Sequence, residues 1–183
     1  LIALDVRNNS AWSYRRMLTK RTGRALSGEM AVCHAAVSKA PNNESSWNYA
    51  MALVDLWGQR EREREAESKT GTAVSRLVSE LPQVAVLVKE FTGVSLPVEG
   101  EAAAVDEDDD ECMLVSFAVS LCIDVLEVCA GIEGADGVGM GALRTLAGGA
   151  VKACKGAAEV DSIRCRYWTY EADRLQQRFG LIE

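Results

Sequence analysis

Apolar residues along this chain recur in steps of three and four almost throughout, which is the period of a helix with one buried face. Met30, Cys33 and Val37 share one such face, predicting a helix over about 28–39. Trp47, Met51, Val54 and Trp57 share another, on a helix that runs on into the charged stretch 60–67. A first helix is expected over 10–19, broken by Lys20-Arg-Thr-Gly-Arg24. Pro41-Asn-Asn-Glu reads as a turn, with Asn43 or Ser45 placed to cap the helix that follows. The stripe Val74, Leu77, Val78, Leu81, Val84, Leu87, Val88 and Phe91 carries Pro82 in its middle. A proline there removes a backbone bond and clashes with the preceding turn, so it ends or kinks the helix. Helices are also expected over 114–130 and 142–160, with a last one capped by Asp161 and holding Ile163, Tyr167, Trp168, Leu175 and Phe179. The segments 68–72, 92–111 and 131–141 read as loops, the second an acidic surface insertion and the third a flexible, glycine-rich connection. No strand alternation competes over a useful length.

A second regularity lies above the helical one. Asn8, Ser10, Trp12 and Tyr14 recur as Asn43, Ser45, Trp47 and Tyr49, all at one offset of 35 residues. A fixed offset of that size marks stacked helical hairpins, each burying its apolar face only against its neighbours. The expected architecture is therefore all-α, a right-handed superhelix of antiparallel hairpins in one domain over 1–183. Its parts are hairpins at 1–39 and 40–91, the acidic loop at 92–111 and the C-terminal helices at 112–183. Asn8 and Trp12, four apart, share a helix face, as do Trp12 and Arg15, three apart. An indole at a fixed place in each repeat fills the space between hairpins. An amide and a guanidinium beside it can satisfy the unpaired backbone groups at helix ends. Asn8, Trp12, Arg15, Asn43, Trp47 and Trp168 are thus assigned to the architecture. Tyr14, Arg15, Arg16, Asn48 and Tyr49 are the candidates for a rim that faces a partner.

Charge and chemistry narrow the reading. A net charge of −7 is a poor basis for sequence-independent nucleic-acid binding, which runs on cationic side chains. No apolar run reaches the length needed to span a bilayer. Cys33, Cys112, Cys122, Cys129, Cys154 and Cys165 are scattered without a Cys-x-x-Cys, which favours small buried hydrophobes in a reducing compartment over a disulfide framework. His34 is the one histidine, so a zinc site built by this chain alone is not expected. Gly137-Val-Gly-Met-Gly141 follows a helix rather than the strand a nucleotide loop requires. The acidic run 106–111 lacks the central glycine of an EF-hand loop and reads as solvated. Arg15, Arg16, Lys20, Arg21 and Arg24 cluster where a helix dipole favours cations anyway. Asn8-Asn-Ser and Asn43-Glu-Ser match the glycosylation pattern, but both lie inside the repeat motif and are read as coincidence.

The Asn-x-x-x-Trp-x-x-Arg order resembles the α subunit of protein farnesyltransferase and type I geranylgeranyltransferase. Asp5–Trp12 and Pro41–Tyr49 look like two late copies of that family's repeat. Asp161-Ser-Ile-Arg-Cys-Arg-Tyr-Trp-Thr-Tyr170 is similar to its closing helix, and 58–160 resembles it in helix order alone. The acidic and glycine-rich loops, and Ala50 at a usually bulkier place, depart from the pattern. The resemblance implies an α subunit wrapped as a crescent around a β subunit. The pair transfers a farnesyl or geranylgeranyl group from its diphosphate to the cysteine of a C-terminal CaaX motif, in the cytoplasm. Zinc, and with it magnesium, enters through β, which also holds most of the lipid pocket. The family's diphosphate-contacting residues belong to earlier repeats and have no match here, so no catalytic residue is carried over. The chain, starting at Leu1 inside a repeat, is expected to be a fragment that serves as scaffold and β-binding end. The Rab-directed geranylgeranyltransferase α subunit and a non-enzymatic adaptor of the tetratricopeptide kind are the rivals. The order Asn-Glu-Ser followed by Trp-Asn-Tyr favours the first reading over the former, and the Asn-x-x-x-Trp-x-x-Arg order favours it over the latter.

Overall fold

The computed structural model describes residues 1–64, 71–97, 115–133 and 139–181. Eight helices form among these residues: α1 (Asn9–Thr22), α2 (Leu26–Lys39), α3 (Glu44–Glu63), α4 (Ala73–Glu80), α5 (Pro82–Thr92), α6 (Ser116–Glu133), α7 (Met140–Val160) and α8 (Cys165–Phe179). No strand occurs among them. The all-α expectation holds. The acidic run 106–111, Cys112 and the glycine-rich stretch 134–138 lie outside the described residues.

Local chemistry explains the boundaries. Asn8 caps α1, its side-chain oxygen accepting from the Ala11 N–H at 3.0 Å. The helix then passes through the basic stretch and ends only at Gly23, whose φ of 65° is the left-handed conformation that glycine adopts without steric cost. The expected break at Lys20 therefore falls three residues late: Lys and Arg are good helix formers, and Gly23 alone carries the stop. Pro82 does divide its stripe. It opens α5 at the first turn, where its missing N–H is no loss. Leu81 forms the joint and is itself fully buried. The start of the expected surface loop at 92–111 departs from the reading, since Val94 and Leu96 are buried. The expected start of the glycine-rich connection is instead the last turn of α6, and its end opens α7.

One continuous core runs from Trp12 to Phe179. Helix α3 is its axis, packed against α1, α2 and α6; α6 in turn meets α4, α5 and α7, and α7 lies along α8. At the α3–α6 crossing Gly58 lets the backbones approach so closely that a Cβ there would sit 2.4 Å from Val128 Cγ1. All four tryptophans are fully buried. Ile163, assigned by spacing to the buried face of the last helix, is instead 93% exposed, because α8 starts only at Cys165 and Ile163 lies in the turn before it. Tyr167 is also largely exposed, one edge resting on the Trp168 ring.

Candidate functional site

The repeated motif builds one bond twice. Trp12 Nε1 donates to the Val6 carbonyl at 2.7 Å, and Trp47 Nε1 donates to the Pro41 carbonyl at 2.6 Å. Donors and acceptors are both related by the same 35-residue step. Each indole thereby ties its helix to the loop that enters it. The two asparagines share a place but not a task. Asn43 sits at the N-terminal cap position of α3, yet its side chain caps nothing there. Its amide instead donates to the Val6 carbonyl at 2.8 Å, so one carbonyl of the first repeat receives both Trp12 and Asn43. Ser45, the other candidate cap, turns its hydroxyl to Asn9 at 3.4 Å. The cap expected from Asn43 or Ser45 is absent because Asn43 is used to join the repeats.

Arg15 does not serve a helix end. It leaves the backbone and pairs with Glu29 of α2 at 2.5 Å. Glu29, almost wholly buried, also accepts from the Tyr49 hydroxyl at 2.7 Å and faces Arg24 at 3.4 Å. Thr19 and Tyr49 hydroxyls lie 2.8 Å apart. Burial alone would raise the Glu29 pKa, but the bonds from Arg15 and Tyr49 outweigh it and hold the carboxyl below its ordinary range. Burial, with the Glu29 charge adding to it, pushes the Tyr49 hydroxyl well above its usual value. The network therefore holds an ionised carboxylate and a neutral phenol, and it joins α1, α2 and α3. A second buried carboxylate, Glu61, pairs with Arg76 at 2.6 Å and Arg64 at 2.9 Å, joining α3 to α4.

Tyr49 is therefore removed from the candidate rim. It is buried against the Trp12 ring, centroids 5.4 Å apart, so it is an inter-helix contact and not a surface. Tyr14, Arg16 and Asn48 are exposed, and Arg15 is half-buried. Tyr14 and Arg16 make no hydrogen bond or ion pair among the described residues, while Asn48 bonds Glu44 at 3.4 Å. Trp168 is buried, its Nε1 donating to Asp161 at 3.3 Å. Asp161, expected to cap the last helix, does not: α8 starts at Cys165 with Arg164 at its cap position and no side-chain cap, and Asp161 instead accepts from the Arg164 N–H in the turn before it.

Glu29 and Glu61 were not singled out from sequence. A signal existed for both. Glu29 precedes Cys33 by four and Glu61 follows Trp57 by four, so each carboxylate stands on a stripe of otherwise apolar positions.

The described cysteines are unpaired: Cys33, Cys122, Cys129 and Cys154 are buried and Cys165 is half-buried. Burial pushes the Cys122, Cys129 and Cys154 thiols up to about 12, which makes them inert packing groups. His34 lies 3.7 Å from Glu90 across α2 and α5. The described residues hold no group of three His, Cys, Asp or Glu side chains set to bind a metal. No described helix is long and apolar enough to cross a membrane. Gly141 lies within α7, and the segment before it follows α6, so the glycine-rich stretch does not continue a strand.

These features define the class: an all-α protein whose first two hairpins are locked by a repeated indole-to-carbonyl bond. Residues 1–22 and 26–57 match the family model of the protein prenyltransferase alpha subunit repeat. The match covers both tryptophan motifs and leaves residues 58–183 outside it. No curated protein matches, and no solved structure does.

Proposed function

We propose that this chain is part of the α subunit of a heterodimeric protein prenyltransferase acting on the cysteine of a C-terminal CaaX motif. The supporting observation is the paired Trp–carbonyl lock at a 35-residue step, which coincides with the two matched repeats. In this reading the chain is scaffold and β-binding surface. Farnesyl or geranylgeranyl diphosphate, zinc and the protein substrate are held chiefly by the β subunit. Tyr14, Arg16 and Asn48 remain the candidate contacts on this chain. The chemistry asked of these helices is positioning: rigid, buried ionic and indole contacts keep the crescent's curvature fixed for its partner.

The test is isolation of the protein from its own cells with a binder raised against this segment, followed by zinc-dependent prenyl transfer to a CaaX peptide. Co-purification of a second chain together with activity is the expected result. The 183-residue chain alone is expected to be inactive. Isolation alone, or with unrelated partners and no transfer, would overturn the reading.

A further inference from the structure

Helix α7 carries no acidic residue from Met140 to Ala158. Arg144, Gly148, Lys152 and Lys155 share one outward stripe at helical spacing, and all four are exposed. In a chain of net charge −7 this is a cationic face. None of its three cations makes a hydrogen bond or ion pair among the described residues. Glu159 stands one turn beyond Lys155 and leaves it unpaired, in the lysine-first order that is the weaker one on a helix. Helix α8 folds back along α7, and the two frame an open groove of about 300 Å³. Val151 and Leu181 supply its apolar floor, with Lys152, Lys155 and Gln176 around them. Gly148 makes the room, since a Cβ there would meet nothing within 4 Å. The Gln176 side-chain amide is unpaired among the described residues as well.

We propose that the α7–α8 groove binds an acidic peptide segment of a protein partner, one in which carboxylates flank an apolar side chain. The Lys152 and Lys155 ammonium groups pair with the carboxylates. The apolar side chain lies over Gly148 and onto Val151 and Leu181. Gln176, donor and acceptor at once, pairs with a peptide group of the occupant. That pairing suits a peptide better than a bare phosphate, which has no N–H to offer the amide oxygen. A bilayer surface does not reach the recessed floor, where Val151 is only 7% exposed. The net charge of −7 also opposes approach to an anionic membrane. The groove lies outside the two matched repeats, so its occupancy is independent of prenyl transfer.

The test is fluorescence anisotropy of two labelled peptides with the 183-residue chain. In one peptide glutamates flank leucines; in the other the leucines are serines. The leucine peptide is expected to bind, and the serine peptide to bind about tenfold more weakly, as loss of a buried leucine contact predicts. Lys152→Glu with Lys155→Glu is expected to weaken both by about tenfold or more, since attraction becomes repulsion. Gly148→Leu fills the groove without meeting a neighbour and removes a glycine from a helix, so the fold is retained. It is expected to bring the leucine peptide down to the level of the serine peptide. Lys39→Glu with Arg62→Glu, exposed cations of α2 and α3, is the control and is expected to leave binding unchanged. Equal binding of the two peptides, or equal losses in the control, would reduce the groove to general electrostatics and overturn the proposal. Binding that survives the Lys152 and Lys155 reversal would do the same. So would co-sedimentation with phosphatidylserine vesicles that this reversal abolishes, which would assign the stripe to a lipid surface.

Discussion

Trp47 shows how a single residue is secured on every side. Its ring meets Phe91 edge-on, centroids 5.5 Å apart, and its N–H is spent on Pro41. Trp47→Ala removes both contacts and leaves a cavity at the α2–α3–α5 junction, at an expected cost of about 3–5 kcal/mol, as for buried aromatics generally. Urea denaturation checks this, and an unchanged midpoint would refute the packing role. Asp124 on α6 is a residue working against the fold. Burial first, then the Asp55 and Glu127 carboxylates, push its pKa up to about 6. A carboxyl raised in the folded state holds its proton more tightly there than in the unfolded chain. Its ionisation therefore costs stability as pH rises from the ordinary carboxylate range through about 6. Asp124→Asn is expected to be more stable than the parent near pH 7.5, and to lose that advantage near pH 4. Midpoints measured at both pH values decide it; a pH-independent difference would show that the raised pKa is not the cause. Glu29 has the opposite sign, since its lowered pKa adds stability that disappears as pH falls through the folded value.

At the scale of elements, the close approach of α3 and α6 depends on Gly58. A methyl there meets Val128 Cγ1 well inside van der Waals distance. Gly58→Ala is expected to destabilise by about 1–3 kcal/mol, the usual cost of overpacking. The double variant with Val128→Ala is expected to recover part of that loss, read by thermal unfolding. Equal losses in single and double variants would place the strain elsewhere. The helices themselves were legible from apolar spacing, and Pro82 announced its own joint. Boundaries slipped where propensity outran charge, as at Gly23. Partnerships were less legible. Trp12 and Trp47 could be paired because they share a motif. The Arg15–Glu29–Tyr49 network could not, because its members come from three helices and lie 14 and 20 residues apart. The same limit misplaced Tyr49 on the rim: alternation along one helix does not show which side a neighbouring hairpin will cover.

Taken as a whole, the molecule is a chain of neighbours rather than a single ball. Stability in such a stack accumulates from adjoining contacts, and an end element is held from one side only. Among the described residues α1 packs mainly on α3, whereas α3 is held by α1, α2 and α6. The two indole-to-carbonyl bonds then become clocks. An indole proton hydrogen-bonded to a loop carbonyl exchanges with deuterium only when that loop lifts away. Nitrogen-edited spectra of the four tryptophans are expected to show Trp12 exchanging faster than Trp47. Equal rates would mean that both hairpins open as one unit. Trp57 supplies the reference, since its buried N–H has no acceptor among the described residues and is guarded by packing alone. A motif that stitches loops to helices thus also records, in hours of exchange, the order in which the stack comes undone.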